Sequence, residues 1–95
     1  MIYKLRFHEL ALNEWQKLDG SVRDPLKKKL AERLENPRVL SAALSGMPDC
    51  YKIKLKGAGY RLVYRVDDDV LYVTVIAVGK RDKNQVYETA HGRIP

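Results

Sequence analysis

The stretch that decides the fold is residues 51–66, which read YKIKLKGAGYRLVYRV. Two runs of alternating polar and apolar residues lie on either side of Gly57–Gly59. Alternation with a period of two is typical of a β-strand that buries one face. Because a short glycine-containing segment joins the two runs, the stretch predicts an antiparallel β-hairpin.

The alternation also predicts which side chains share a face of this hairpin. Directly paired residues point to the same face, so both apolar sets reach the core only if the loop has an even number of residues. A two-residue Gly57-Ala58 loop in a type II′ turn would place Lys54 opposite Arg61, and a four-residue loop keeps the same sides. In either case one open face carries Lys52, Lys54, Arg61 and Arg65. Like charges placed opposite each other destabilise a sheet, so stability alone does not explain this face.

Two further segments have the pattern of β-strands. Ile2–Phe7 alternates between apolar and basic residues. Val70–Val78 is apolar on both faces, which predicts a strand in the centre of the sheet. Asp67–Asp69 lies between this strand and the hairpin and predicts a second tight turn.

Helical periodicity predicts two helices before the hairpin and one after it. They cover residues 9–18, about 21–35 and 82–91. We expect Gly20 to form a left-handed exit from the first helix. Ser21 or Asp24 is the expected cap of the second helix, with Pro25 in its first turn, where a missing N–H costs little. Val86 and Ala90 form the inner stripe of the last helix.

The connector 38–50 separates the helical hairpin from the β-hairpin, and its expected anchors are Leu40, Leu44 and Met47. The element order is therefore βααβββα. This order predicts an α+β fold: a four-stranded antiparallel sheet with helices on one face, an N-terminal helical hairpin and a short C-terminal helix. A chain of 95 residues predicts one domain, residues 1–95.

Composition excludes several classes of protein. With 45% hydrophobic and 32% charged residues, the chain is not a disordered polyelectrolyte. The longest apolar run, Val70–Val78, is far shorter than the roughly 20 residues of a membrane span, and Met1–Leu12 lacks the pattern of a secretory signal. The single Cys50 excludes an internal disulfide and is typical of a reducing compartment. We therefore expect a cytoplasmic protein that does not contact membranes.

The charge is concentrated in the second half of the chain. Of the formal net charge of +6, residues 51–95 carry +4, and residues 51–66 contain five basic residues and no acid. Lys80 and Arg81 follow the central strand and can reach the same face, as can Tyr87 of the last helix. This clustering predicts a phosphate-binding surface. A solvated lysine-rich strand face is the alternative for the lysines alone.

Crowded cations of this kind can also support RNA cleavage by the 2′-hydroxyl group. The reaction needs a base for the hydroxyl proton, charge stabilisation at the phosphorane and a proton for the leaving 5′-oxygen. Neighbouring cations lower a lysine pKa from about 10.4, and a shift to near 7 requires roughly 4–5 kcal/mol. His8 and His91 are the only histidines and no cluster has metal-ligand spacing, so we predict no metal or other cofactor.

Three segments of the chain resemble the RelE toxins of bacterial type II toxin–antitoxin systems, within the wider RelE/ParE superfamily. They are Leu44–Leu55 (LSGMPDCYKIKL), Gly59–Tyr64 (GYRLVY) and Val78–Arg81 (VGKR). The helical segments 11–18 (ALNEWQKL) and 26–30 (LKKKL) match as well, so the resemblance covers essentially the whole chain.

The resemblance implies a ribosome-dependent endoribonuclease that cuts mRNA in the ribosomal A site by 2′-hydroxyl attack. By analogy with the family, Lys54 is the candidate base, Arg81 the leaving-group partner and Tyr87 the residue that stacks on the substrate. Arg61 and Lys52 would stabilise the phosphate charge. The division of acid and base roles among Lys54, Tyr87 and Arg81 stays open. Further RNA contacts are expected from Lys56, Arg65, Lys80 and Lys83.

The resemblance also implies the partners of the protein. They are the mRNA, the ribosomal RNA and a RelB-like antitoxin, which would form a hetero-oligomer that binds operator DNA. Two other functions fit the same sequence. One is a ParE-like toxin that inhibits DNA gyrase, and the other is a non-catalytic RNA-binding domain.

Overall fold

The residues that the structure describes form four strands and three α-helices in the predicted order. The structure is a computed structural model, which describes residues 2–80 and 85–94. The elements are β1 (Lys4–Phe7), α1 (Glu9–Gln16), α2 (Gly20–Glu35), a 3-10 turn (Leu40–Ala42), β2 (Cys50–Leu55), β3 (Tyr60–Asp67), β4 (Tyr72–Lys80) and α3 (Gln85–Arg93). None of the helices in these described ranges combines the length and the apolar character that crossing a bilayer requires.

The four strands form one sheet in the order β1-β4-β3-β2. β4 lies between β1 and β3, which confirms the central position predicted from its apolar faces. β2, β3 and β4 pair antiparallel, whereas β1 pairs parallel to β4. The α+β class is therefore confirmed, but the expectation of a purely antiparallel sheet is wrong. Short turns fix the directions of β2, β3 and β4, whereas no short turn joins β1 to its neighbour.

The β2–β3 hairpin has the register that the alternation predicted. Lys54 pairs with Arg61 and Leu55 with Tyr60, so the connection contains four residues, 56–59. Of the two loops that the sequence left open, the four-residue loop is present and the type II′ turn at Gly57-Ala58 is not. Instead Gly59 adopts a φ of +69°, and its N–H donates to the Leu55 carbonyl at 2.9 Å. A glycine suits this left-handed position because it has no Cβ.

The second helix begins earlier than the sequence suggested. The Asp19 carboxylate accepts a hydrogen bond from the Ser21 N–H at 3.0 Å and so caps α2. Gly20 is consequently the first residue of α2 and not a left-handed exit, and neither Ser21 nor Asp24 is the cap. Pro25 then lies inside the helix, beyond its first turn, where it removes one backbone hydrogen bond. The Asp19 cap determines the start of the helix in spite of that cost.

Two apolar cores lie on opposite faces of the sheet. The larger core packs α1 and α2 against residues such as Leu62 and Val75. The smaller core packs Val86 and Ala90 of α3 against a group on β3 and β4 that includes Val63. The inner stripe of α3 is confirmed, but the expectation that all helices lie on one face is wrong. Because β4 is apolar on both sides, it can bury side chains under helices on both.

The connector and the second turn differ from the prediction in detail. Met47 is buried and Leu44 packs beside it in the smaller core, as expected. Leu40 is 85% exposed and anchors nothing, because it lies in the 3-10 turn at the surface. Val70 is also exposed, since the chain continues its turn to residue 71 and β4 begins only at Tyr72.

An arginine joins this turn to the connector. Arg38 donates to Asp68 through Nε at 3.0 Å and Nη2 at 2.6 Å, and to Asp49 at 3.0 Å. The Tyr3 hydroxyl donates to the other oxygen of Asp68 at 2.6 Å. Hydrogen bonds from Arg38 and then Tyr3 lower the pKa of Asp68. Asp68 of the acidic turn is therefore held by hydrogen bonds from Arg38 and Tyr3 and is not merely solvated.

A second ion pair completes the edge of β4 where β1 ends. β1 stops at Phe7, opposite Val75, and leaves the rest of β4 without a strand on that side. Glu14 of α1 accepts the Val78 N–H at 3.2 Å, and Arg93 of α3 donates to the Ile76 carbonyl at 2.8 Å. Two hydrogen bonds of 2.9 Å join Arg93 to Glu14. The pair satisfies the strand edge and holds the C-terminal end of α3 against α1.

We predict that Leu26→Ala lowers the free energy of unfolding by about 2–5 kcal/mol, because Leu26 is fully buried between α2 and the sheet. The matched control is Leu40→Ala, which removes the same atoms from an exposed site and should change stability by less than about 0.5 kcal/mol. Urea unfolding followed by circular dichroism measures both. Equal losses in the two variants would contradict the described core.

We predict that Glu14→Gln loosens α3 without unfolding the sheet. Losing a part-buried charged hydrogen-bond acceptor costs about 1.5 kcal/mol, so α3 amides should exchange about tenfold faster. Hydrogen–deuterium exchange measures this locally. The control is Glu32→Gln, an exposed position of α2 that should leave α3 exchange unchanged. Unchanged α3 exchange in Glu14→Gln would show that the pair does not hold the helix.

Candidate nucleic-acid interface

Three cations meet at one end of the sheet face that carries α3. Lys52 and Lys54 alternate along β2, and Arg61 lies opposite Lys54 on β3. Lys54 is exposed, whereas Lys52 and Arg61 are half-buried. The hairpin register thus brings together three of the predicted site residues. We call Lys52, Lys54 and Arg61, together with Tyr87, the hairpin site.

Tyr87 reaches the hairpin site from the first turns of α3. Its hydroxyl accepts a hydrogen bond of 2.6 Å from Arg61 Nη1, and the Arg61 guanidinium carbon lies 5.6 Å from the centre of its ring. Close packing of α3 depends on Gly79, which pairs with Arg61 on the neighbouring strand. A Cβ added at Gly79 would lie 3.3 Å from a Val86 methyl carbon, so even an alanine there would require the Val86 side chain to shift by a few tenths of an ångström.

The crowding of positive charge acts on Lys54. Lys52 and then Arg61 lower the pKa of Lys54, because a nearby cation disfavours its protonated form. A smaller effect in the same direction comes from Lys56 in the turn. The folded protein therefore holds this proton less tightly than the unfolded chain. At pH values between the lowered pKa of Lys54 and the ordinary lysine pKa of about 10.4, the unfolded chain binds more protons than the folded protein. The free energy of unfolding therefore rises with pH in this range.

The site is an open groove. A cavity of about 280 Å³ lies beside the hairpin site and is lined by Lys54, Lys56, Tyr60 and Arg61 among others. None of these cations forms an ion pair with a carboxylate among the residues that the structure describes. The groove is therefore suited to an anionic ligand. Lys56, one of the predicted RNA contacts, lines it.

Two other predicted contacts lie away from the hairpin site. Lys80 pairs with Tyr60, whose side chain packs against the larger core, so the register does not align Lys80 with Lys54. It lines a separate cavity with Gln85 at the start of α3. Arg65 shares the face with Arg61 but lies at the far end of α3. Arg81 and Lys83 lie outside the described residues.

The cysteine and the acidic residues do not add a second reactive centre. Cys50 is buried in the smaller core, and burial raises the pKa of its thiol, as expected of an apolar cysteine. In residues 2–80 and 85–94, no three side chains among His, Cys, Asp and Glu come together in a way that could hold a metal ion. The chemistry available at the hairpin site is that of cations and a phenol.

Sequence reasoning missed a second group of cations on the same face. Arg6 of β1 and His8 line a cavity with Arg65, at the end of α3 that carries Arg93. The alternation of Lys4 and Arg6 along β1 was the available signal. It could not be used without knowing that β1 pairs with β4 in parallel, because that pairing places Arg6 beside Thr74.

Known proteins share both the sequence and the structure. Residues 5–85 match the family described as "ParE toxin of type II toxin-antitoxin system, parDE". The mRNA interferase toxin RelE of Escherichia coli K12 is 57% identical over 94 residues, which span 99% of each chain. An mRNA interferase RelE of Shigella flexneri is similar to the same extent.

Two solved structures extend this similarity to the fold. An E. coli RelE toxin with two arginines replaced by alanine, solved in the free state, is 56% identical and covers all of both chains with a TM-score of 0.92. A chain of the intact E. coli RelBE toxin–antitoxin complex is 58% identical, covers 85% of this chain and 99% of its own, and has a TM-score of 0.82. The chain therefore belongs to the RelE toxins of the RelE/ParE family of type II toxin–antitoxin systems.

Proposed function

We propose that this protein is an mRNA interferase that cuts mRNA in the ribosomal A site, acting as the toxin of its system in the cytoplasm. Residues 1–95 form its single toxin domain. The observation that carries the proposal is the hairpin site, in which Lys52 and Arg61 lower the pKa of Lys54 and Arg61 contacts Tyr87. The names of the relatives, mRNA interferase toxin RelE among them, support the same function.

The first chemical step is removal of the 2′-hydroxyl proton. In this proposal the neutral Lys54 amine takes that proton, and the hydroxyl oxygen attacks the adjacent phosphorus. A lysine with an ordinary pKa of about 10.4 is almost fully protonated at pH 7, so a lowered pKa raises the fraction of free amine. Because Lys54 is exposed at the groove, its amine can approach a bound RNA strand.

The second requirement is stabilisation of the charge on the phosphorane. Lys52 and Arg61 lie beside Lys54 and would place their cations at the phosphate oxygens. Tyr87 would stack on the substrate, with the Arg61 hydrogen bond holding its ring in place. Arg81 is proposed as the leaving-group partner from the family resemblance alone. The products are a cyclic phosphate and an RNA that begins with a 5′-hydroxyl group.

The open groove gives a reason for dependence on the ribosome. Attack by the 2′-hydroxyl needs its oxygen in line with the leaving 5′-oxygen, and holding that geometry contributes much of the rate in such reactions. Six residues of the hairpin line an open surface and do not enclose a strand. The ribosome would supply the fixed mRNA conformation, so we expect poor cleavage of free RNA.

The partners follow from the same proposal. The mRNA codon and the surrounding ribosomal RNA would bind the hairpin site together with Lys56 and Arg65, and Lys80 and Lys83 are proposed as further RNA contacts from the sequence alone. A RelB-like antitoxin would bind the toxin and form an operator-binding complex, as supported by the RelBE complex of E. coli.

One observation favours a second function. The matching family is described by the name of the ParE toxin, so inhibition of DNA gyrase is the alternative for a chain with this fold. A gyrase inhibitor would not need the hairpin site, because it cuts no RNA. Replacing Lys54 or Arg61 therefore separates the two functions.

We predict that the wild-type protein cuts mRNA in the A site of a reconstituted translation reaction. Lys54→Ala and Arg61→Ala should each slow cleavage by about 10²–10³-fold, the usual effect of losing one charged group at a developing negative charge. Primer extension locates the cuts, and analysis of the product ends tests for a cyclic phosphate.

Lys28→Ala is the matched control, because it removes an exposed lysine from α2, the helix packed on the other face of the sheet. It should cut at the wild-type rate. Intact mRNA in the presence of folded wild-type protein would reject the proposal, and inhibited gyrase supercoiling in the same preparation would favour the alternative. Efficient cutting of naked RNA would contradict the dependence on the ribosome.

A further inference from the structure

A second cavity lies on the same sheet face as the hairpin site, at the opposite end of α3. Its volume is about 230 Å³, and β1, β3, β4 and α3 all contribute to it. Its polar lining consists of Arg6, His8, Arg65, Asp67, Thr74 and Arg93. Most known pockets for drug-sized ligands have volumes of roughly 300–1,000 Å³. A smaller group, such as one sugar–phosphate unit, therefore suits this cavity better.

Arg6 is held in position by its neighbours. Its Nε donates to the Thr74 hydroxyl at 2.9 Å, and its guanidinium carbon lies 4.2 Å above the centre of the Tyr72 ring. Stacking and one hydrogen bond fix the plane of the guanidinium. Its two Nη groups have no acceptor in the part of the chain that the structure describes. They are free to bind an anion.

Two further donors line the cavity. The half-buried Arg65 has no hydrogen-bond or ion-pair partner among residues 2–80 and 85–94. His8 accepts the Leu10 N–H through Nδ1 at 3.2 Å, which assigns the proton of the neutral ring to Nε2 and makes that atom a donor. Arg93 also lines the cavity, but it donates hydrogen bonds to Glu14. Arg6 and Arg65 are thus the cations of this cavity that form no ion pair in the described ranges, and Arg65 also borders a neighbouring cavity lined by Asp49, Asp67, Asp68 and Asp69.

Asp67 gives the cavity one acceptor. One of its oxygens accepts the Asp69 N–H at 3.1 Å, within the turn. The carboxylate would repel a small, highly charged anion that filled the cavity. It would accept a hydrogen bond from a hydroxyl group placed beside a phosphate. A ribose 2′-hydroxyl is such a group, and it is what distinguishes RNA from DNA at a given site.

We propose that this cavity binds a phosphate–ribose unit of an RNA strand, as a contact separate from the hairpin site. Arg6 and Arg65 bind the phosphate, and Asp67 binds the 2′-hydroxyl. The inference rests on the proposed function for its ligand class, and it adds Arg6, His8 and Asp67 to the RNA-contacting residues.

The two contacts are spaced for one extended ligand. Arg61 and Arg65 are four residues apart on β3, which corresponds to about 13 Å along a strand. α3 lies between them, with Tyr87 at the hairpin site and Arg93 at the cavity. An RNA backbone that crosses this face can therefore bind both ends of α3, and the cavity extends the footprint of the protein beyond the cut.

Binding to a labelled single-stranded RNA, measured by fluorescence anisotropy at several salt concentrations and without ribosomes, tests the inference. Arg6→Ala and Arg65→Ala should each weaken binding and lower the slope of log K against log salt by about 0.7. Arg23→Ala on α2 is the control, since it removes the same side chain from the helix on the other sheet face. Arg6 is exposed, so Arg6→Ala leaves the fold intact.

Asp67→Asn and a DNA strand of the same sequence test the ribose contact. The wild-type protein should prefer RNA, and Asp67→Asn should reduce that preference. Affinities and salt slopes in Arg6→Ala and Arg65→Ala equal to those of Arg23→Ala would overturn the inference. So would competition by inorganic phosphate as strong as that by unlabelled RNA, which would indicate a site for small anions. Cleavage in the translation reaction is scored separately, so failure of the nuclease proposal is not confused with failure of this one.

Discussion

The pairing of Lys54 with Arg61 is the constraint on which the proposed chemistry depends. A sheet gains nothing from two cations placed opposite each other, and Lys52 on the same face adds a third. The rest of the fold supplies the stability that this arrangement lacks, through Leu62 and Val75 in the larger core. The crowded cations lower the pKa of Lys54. A lysine-rich face without Arg61 would lower it less.

α3 divides the cations of that face into two groups. By covering Val63 in the middle of the sheet, it leaves cations exposed at its two ends and not along a continuous surface. Tyr87 at one end contacts Arg61, and Arg93 at the other end is held by Glu14. One short helix therefore positions a residue of the hairpin site and forms a wall of the second cavity. Anything that displaces the helix would alter both.

The sequence predicted the hairpin, its register and the cations of the hairpin site, because alternation alone determines which residues share a face. It did not predict the parallel pairing of β1, since no local turn sets the direction of that strand. The second core was also missed, although Val63 among basic residues was a sign of it. The start of α2 depended on one hydrogen bond from Ser21 to Asp19, which competes with the proline signal at Pro25. Tertiary pairings of this kind have no local pattern.

The most direct test of the central claim is the pKa of Lys54, measured by NMR titration of its side-chain amine. We predict a pKa below the ordinary lysine value of about 10.4, with a rise when Lys52→Met removes the cation that lowers it most. That rise should accompany slower mRNA cleavage at neutral pH, because less of the amine would be free to take a proton. A Lys54 that titrates at the ordinary value, unchanged in Lys52→Met, would contradict the account.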